Sequence, residues 1–374
     1  MSKKVIVAGH ICLDITPEIK GQPTSKIQDF LFPGKLVNVG AADIHTGGVV
    51  ANTGLAMKFL GADVRLLAKI GNDSFGDMVE SILKSHDAAD CLIRKDGEHT
   101  SYSVVLAVPG VDRIFLHDPG ANDTFTSDDI PDALLEETAL FHFGYPPIMK
   151  KMYENDGEEL VRVMKKAIDS GAVTSMDLAA VDPGSEAANA DWEMILSKVL
   201  PLTDIFVPSV EELCFMLDRD KYYRFRERAG DLDFTEVLSI EEDIVPLAEK
   251  CISMGTAVLL IKCGVPGMYY CTAGEERLRR VSSRIEIDVK EWADKRGFEK
   301  SFKPDRVLSG TGAGDTSAAA FLVSILNGCP IEKCAEYAVA TGASCVTAYD
   351  ALSGLKTFPE LDRKMESGWE KVDD

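Results

Sequence analysis

The chain has 374 residues, 45% hydrophobic and 27% charged, an ordinary globular balance for one large α/β domain or two smaller ones. Its net charge of -21, from 61 acidic against 40 basic residues, argues against anionic partners, so no nucleic-acid or membrane-surface role is expected. Nine cysteines without Cys-x-x-Cys spacing, a short N-terminal apolar run and no apolar stretch near ~20 residues predict a cytoplasmic chain with reduced thiols and no membrane span.

Val5-Ile6-Val7-Ala8 is a β-branched run ending at Gly9, the pattern of a buried parallel strand. Asp14 lies just beyond it, where open α/β sheets place ligands; a turn aspartate before Pro17 is the bland alternative. Residues 15–46 carry prolines, glycines and short alternating pieces such as Leu36-Val37-Asn38-Val39, which predicts part of a β lid. Gly47-Gly48 and Asn52 then open a helical pattern through Leu55, Phe59 and Leu60. The glycine pair lets a hydroxylated ligand approach the backbone, and Asn52 can donate and accept. Gly71 to Gly76 reads as a structural turn into a helix at Met78–Leu83.

Residues 99–117 alternate around Pro109-Gly110 and predict a β-hairpin, the second part of a lid spanning about 97–118. From residue 139 strands and helices alternate: strands at Leu140–Phe143, Val173–Asp177, Ile205–Pro208, Ala257–Lys262 and Tyr269–Cys271, with helices at Leu160–Ile168 and from Glu211 to Leu217. This alternation predicts a largely parallel sheet covered by helices. Two segments look added. Residues 218–234 interleave arginines with aromatics and read as a solvated helix face or a subunit contact. Residues 275–303 are dense in charge and read as an extended hairpin near a nucleotide or a loose insertion.

The most informative stretch is Leu308-Ser-Gly-Thr-Gly-Ala-Gly-Asp315, followed by an alanine-rich helical pattern. Glycines leading into a helix N-terminus make an anion site, most naturally for phosphate. Asp315 is a poor phosphate ligand but can accept the proton of a hydroxyl attacking that phosphate. The bland alternative is a capping aspartate after a glycine loop. Ala335 to Thr347 predicts a further helix rich in small residues.

The Gly-Ala-Gly-Asp core at 312–315 resembles the C-terminal signature of the ribokinase-like (PfkB) carbohydrate kinases. Gly47-Gly48, Asn52 and the run Gly71-Asn72-Asp73-Ser74-Phe75-Gly76 resemble that family's N-terminal signature. The resemblance implies a single ribokinase-like domain over residues 1–374, a three-layer α/β/α sandwich with a mostly parallel sheet and a small β lid. It implies a cytoplasmic sugar kinase in which Asp315 is the general base and the backbone of Gly312, Ala313 and Gly314 stabilises the transferring phosphoryl group. Asp14, Gly47, Gly48 and Asn52 would hold the sugar. Ser209, Gly264, Gly267, Gly310 and Thr311 would lie along ATP, and Glu212 would hold magnesium through water.

Three departures from the family's pattern stand out. Ser209 replaces an asparagine of the Asn-x-x-Glu motif. Leu178-Ala179-Ala180 follows Asp177 where an asparagine and an arginine are frequent. Ser309 replaces an aspartate associated with a monovalent-cation site, which puts potassium activation in doubt. Lid-mediated homodimers occur in the family, so a homodimer is expected by analogy. A nucleoside kinase remains the alternative acceptor class, with Phe30, Phe32, Tyr102 and Phe115 as aromatic candidates. A phosphorylated sugar would want basic residues such as Lys35, Arg94 or Arg113. A ligand-binding relative without catalysis is the other class; a dehydrogenase is excluded by the lack of Gly-x-Gly-x-x-Gly after the first strand.

Overall fold

The computed structural model describes residues 3–21, 26–109, 113–230 and 234–373. Thirteen strands are described: β1 Lys4–Gly9, β2 Cys12–Pro17, β3 Ala42–Gly47, β4 Asp63–Gly71, β5 Cys91–Lys95, β6 Tyr102–Leu106, β7 Ile114–Asp118, β8 Thr138–Gly144, β9 Val173–Asp177, β10 Ile205–Phe206, β11 Val258–Lys262, β12 Gly267–Thr272 and β13 Arg296–Lys300. Nine of them form one sheet in the order β13-β12-β11-β10-β9-β8-β1-β4-β5. Every pairing from β5 to β11 is parallel, and β12 and β13 close one edge antiparallel.

Because side chains alternate along a strand, β1 feeds two cores at once. Val5 and Val7 pack on one face with the helices Val49–Phe59, Ala313–Leu326 and Ile331–Cys345. Ile6 and Ala8 pack on the other with the helices Glu158–Asp169, Trp192–Val199, Val210–Leu217 and Val245–Ser253. The result is the three-layer sandwich expected, and its sheet is as parallel as the strand–helix alternation implied.

The chain leaves β1 along the sheet toward β4 and β5, then returns beside β1 as β8 and runs the other way through β9 to β11. The order therefore reverses between β1 and β8, which opens a crevice at their carboxyl ends. Over that crevice lies the lid, a four-stranded sheet in the order β3-β2-β6-β7. Only His10 and Ile11 separate β1 from the lid strand β2.

Several local expectations change. The alternating piece Leu36–Val39 is not a strand; Leu36 is 86% exposed, and the lid strand is Ala42–Gly47, which has β2 to pair with. The helix after Gly71 is longer, Ser74–Ser85, because Asp73 caps it by accepting from Gly76 N. The hairpin is formed by β6 and β7, with Gly110 of its turn outside the described residues.

Residues Arg219–Ala229 form a helix that buries Tyr222 and Phe225 against Phe215 and Phe234 and turns its arginines outward. The segment 275–303 is neither loose nor a plain hairpin. Two short helices bury Leu278, Val281 and Trp292 in the core, and β13 then pairs along the sheet edge.

Candidate active site

A cavity of about 1760 Å³ lies between the lid and the carboxyl ends of the strands. Its floor is the glycine loop. Gly312 caps the helix Ala313–Leu326 in the left-handed region (φ 73), and a Cβ there would stand 2.3 Å from Ala351 Cβ, so glycine is required on two counts. Ala313 N–H donates to Gly310 O at 3.3 Å, while the N–H groups of Gly312 and Gly314 have no partner among the described residues. These are orphan donors at the positive end of a helix.

Asp315 sits in the first turn of that helix, 5% exposed. Its Oδ2 accepts from Asn52 Nδ2 at 2.9 Å, and its Oδ1 accepts from Tyr145 Oη at 2.6 Å, with Thr53 Oγ1 at 3.5 Å. Asn52 reaches it from the helix Val49–Phe59, whose cap Gly48 also has a left-handed backbone (φ 83). Tyr145 follows β8 at φ 69, a strained conformation for a bulky side chain that costs ~1–3 kcal/mol and concentrates at functional sites. Burial first, and then the charge of Asp315, hold its phenol well above the ordinary tyrosine range, so it stays a donor.

The opposite wall is the lid. Asp14 is buried on β2, and Gly47 opposite would drive a Cβ to 2.1 Å from its Oδ2; Gly47 makes room for this carboxylate and does not itself line the cavity. Burial pushes the Asp14 carboxyl up, against contacts from Cys12 and Ser103 that pull it down. Beside it, His10 and His117 face each other with 3.3 Å between their Nε2 atoms, and Ser103 Oγ lies 3.0 Å from His117 Nδ1. Burial lowers both imidazole pKa values. His10 Nδ1 is buried without a partner. Arg113, on the lid at the mouth of β7, donates to Thr311 Oγ1 and Ser309 Oγ of the glycine loop.

The far end of the cavity is bounded by Ser209, Glu212, Gly264 and Gly310, and by Val339, Gly342 and Ala343 of the small-residue helix. Ser209 and Glu212 form a capping box: Ser209 N donates to Glu212 Oε2 at 2.7 Å, and Glu212 N donates to Ser209 Oγ at 3.2 Å. Ser209, where the family's motif has asparagine, thus caps this helix, a role worth ~1 kcal/mol that either residue can fill. Gly264 lines the cavity at φ 65. Gly267 does not; its missing Cβ leaves room for the β13 backbone at Glu299.

Between the two ends, Lys262 Nζ lies 2.7 and 2.8 Å from the two oxygens of Asp177. Burial pushes Asp177 up to about 7 although the ammonium pulls it down. Burial also disfavours the charge on Lys262, but Asp177, Glu212 and Asp315 outweigh it and raise its pKa.

The sequence profile of the PfkB family carbohydrate kinases matches residues 3–357. The chain belongs to that family. It is therefore a sugar phosphotransferase. Fructokinase-1 of Oryza sativa subsp. japonica is 25% identical over 379 residues, covering 98% of each chain. An Arabidopsis thaliana ribokinase complexed with ribose and ATP has a TM-score of 0.69 at 19% identity, over 97% of this chain and 98% of that one. A nucleoside kinase of Methanocaldococcus jannaschii has a TM-score of 0.66 at 22% identity, over 98% and 99%. The ribokinase-like fold expected from the signatures is thus the fold found, and a dehydrogenase stands excluded.

Within this kinase fold, Asp315, Gly312, Ala313, Gly314, Gly310, Thr311, Asp14, Gly48, Asn52, Ser209, Glu212 and Gly264 all line one cavity. Of the lid aromatics, Tyr102 and Phe115 line it, while Phe32 is exposed under Lys35 Nζ. Arg94 is held by Asp77 and Glu80 on the surface. Tyr145, His10, His117 and Lys262 were not singled out from sequence. Their signal is positional: His10 and Tyr145 follow strands, Lys262 ends one, and His117 is the last residue but one of β7.

Proposed function

We propose that the chain transfers the γ-phosphoryl group of ATP to a hydroxymethyl group of a neutral sugar. The observation that carries this is the Asp315 carboxylate, held by Asn52 and Tyr145 in the first turn of a helix whose orphan N–H donors adjoin it. Asp315 takes the hydroxyl proton as the sugar oxygen attacks, and the N–H groups of Gly312 and Gly314 stabilise the transferring group. Asp14 and Asn52 orient the sugar, with Gly48 leaving space for it and Gly47 leaving space for the Asp14 carboxylate. Ser209, Gly264, Gly310 and Thr311 border the nucleotide.

The acceptor end argues for a sugar without phosphate or carboxylate. Asp14, Asp118 and Asp123 line it, and its two imidazoles are held neutral. An anionic acceptor would meet repulsion there. Tyr102 and Phe115 are the observation that favours a second reading, a nucleoside acceptor.

No group of three or more metal-ligating side chains occurs among the described residues. That fits magnesium, which keeps its waters and is carried largely by phosphates, with Glu212 as the protein's contribution through water. Magnesium would neutralise phosphate charge. The lid exposes Leu31, Phe32, Ile44 and Leu116, apolar surface that a second copy would cover in a homodimer.

The test is ADP release with magnesium and ATP against ketoses, aldoses, sugar acids and nucleosides. Turnover on a neutral sugar is expected. Turnover only on nucleosides would replace this reading with the second.

A further inference from the structure

Lys262 ends β11, whose other residues, Val258 to Ile261, are all buried and apolar. An ammonium at the end of such a strand needs a counter-charge, and Asp177, 0% exposed at the end of β9, supplies it through both oxygens. Yet the pair is not sealed away. Lys262 lines the large cavity. Its Cδ, Nζ and Cε pass 3.5, 3.7 and 3.8 Å from where a Cβ on Gly314 would stand. The charge therefore sits beside the first turn of the helix Ala313–Leu326, next to the orphan N–H donors that would receive a phosphoryl group.

Three carboxylates, those of Asp177, Glu212 and Asp315, act on this one ammonium. A phosphoryl group arriving at the loop adds further negative charge next to them. The chain has no arginine after Asp177, where Leu178-Ala179-Ala180 follows. The cavity is lined by only one other lysine or arginine among the described residues, Arg113, on the lid side of the loop.

We propose that Lys262 contacts the transferring phosphoryl group, swinging from its two-oxygen grip on Asp177 to share its ammonium between that carboxylate and the phosphoryl oxygens. The proposal rests on the kinase reading. In the transfer step the sugar oxygen forms a bond to the γ-phosphorus, and the bond from that phosphorus to the bridging oxygen of ADP breaks. The hydroxyl proton goes to Asp315. Lys262 gives up no proton; it offsets charge on the group in flight. Asp177 is the positioning residue, holding the ammonium in reach while the loop is empty. A lysine suits this better than arginine because it is a point charge on a flexible stem.

The test uses the full chain carrying Lys262→Met together with Asp177→Asn. The double change removes the ammonium without stranding a buried carboxylate, the usual reason such variants unfold. Should it still not fold, Lys262→Gln together with Asp177→Asn, which leaves two neutral groups able to hydrogen-bond each other, gives the same comparison. Calorimetry with MgATP and with MgADP is the first readout. MgATP affinity is expected to fall about tenfold while MgADP affinity holds, since only ATP carries the group in contact. With an accepted sugar, kcat should fall about 10²–10³-fold, and Lys262→Arg should keep more of it. An unchanged ratio of MgATP to MgADP affinity would overturn the proposal, because a purely structural lysine would leave that ratio alone. A wild-type protein that binds MgATP but phosphorylates no acceptor overturns the kinase reading by itself, and the affinity ratio still decides the lysine.

Discussion

Tyr145 donates its phenolic hydroxyl to Oδ1 of Asp315 across 2.6 Å, from a backbone held in the left-handed region. Strain at one end of a hydrogen bond and an acidic side chain at the other point to a positioning role. Tyr145→Phe keeps the ring and removes the donor to a charged acceptor, an interaction worth ~1.5–3 kcal/mol. Steady-state kinetics should show kcat reduced about 10–100-fold with MgATP affinity unchanged. An unaltered kcat would reduce the phenol to packing.

Asp315→Asn keeps the shape of the loop and the bond from Tyr145 but removes the proton acceptor. Turnover should fall by ~10²–10⁴ while nucleotide binding persists. Nucleotide titration alongside turnover separates the two effects, and full activity in this variant would end the general-base assignment.

The two loop glycines should respond unequally. At Gly312 a Cβ meets Ala351 at 2.3 Å in a left-handed backbone, so Gly312→Ala combines a ~1–2 kcal/mol conformational cost with overpacking of ~1–3 kcal/mol. At Gly314 the nearest atom is the Lys262 Cδ at 3.5 Å, an ordinary contact. Thermal melting should show several degrees lost for Gly312→Ala and little for Gly314→Ala. Equal losses would contradict this geometry.

The signature residues were legible because each is fixed by local chain chemistry. Gly312 must take a left-handed turn, Asp315 must start a helix, and both lie within one short stretch. Asp14 and Asn52 were legible because strand and helix starts are local too. Tyr145 and Lys262 were not, since nothing in the segment Gly144-Tyr145-Pro146 says that β8 lies beside β1. Their roles depend on strand order, and strand order is a long-range property. Leu36–Val39 failed for the same reason in reverse: alternation marks a strand only where a neighbour exists to pair with it.

Two buried groups near the site titrate in opposite senses. Burial, helped by the charge of Lys262, pushes the His142 imidazole down to about 3, against ~6.5 when unfolded. A depressed pKa gives stability that is complete above ~6.5 and drains as pH falls through about 3, by roughly 5 kcal/mol in all. Asp177, raised to about 7, gives stability at low pH that is lost as pH rises through that value. Urea denaturation between pH 7.5 and 4 should therefore show a steeper acid loss in Asp177→Asn and a shallower one in His142→Gln. Parallel profiles for all three proteins would refute the assignment.

Potassium should not be needed. Ser309 offers no carboxylate; its hydroxyl donates to Thr311 Oγ1 at 2.9 Å, and the Arg113 guanidinium lies against it. The Cys345 thiol donates to Thr311 O at 3.5 Å and to Ala351 O at 3.6 Å, binding the loop to the following segment without an ion. Turnover in sodium should match turnover in potassium within about twofold; strong potassium activation would show that a cation site persists without the aspartate.

The short joint of His10 and Ile11 between β1 and β2 has a mechanical consequence. Asp14 rides on the lid strand, whereas Asp315 is fixed to the helical layer beneath the sheet. Any tilt of the small sheet about that joint changes the spacing of the two carboxylates. If the sugar spans both, as proposed above, it would act as a gauge: an acceptor of the right length would draw the lid down to one angle, and one too short or too long would leave the phosphate open to water.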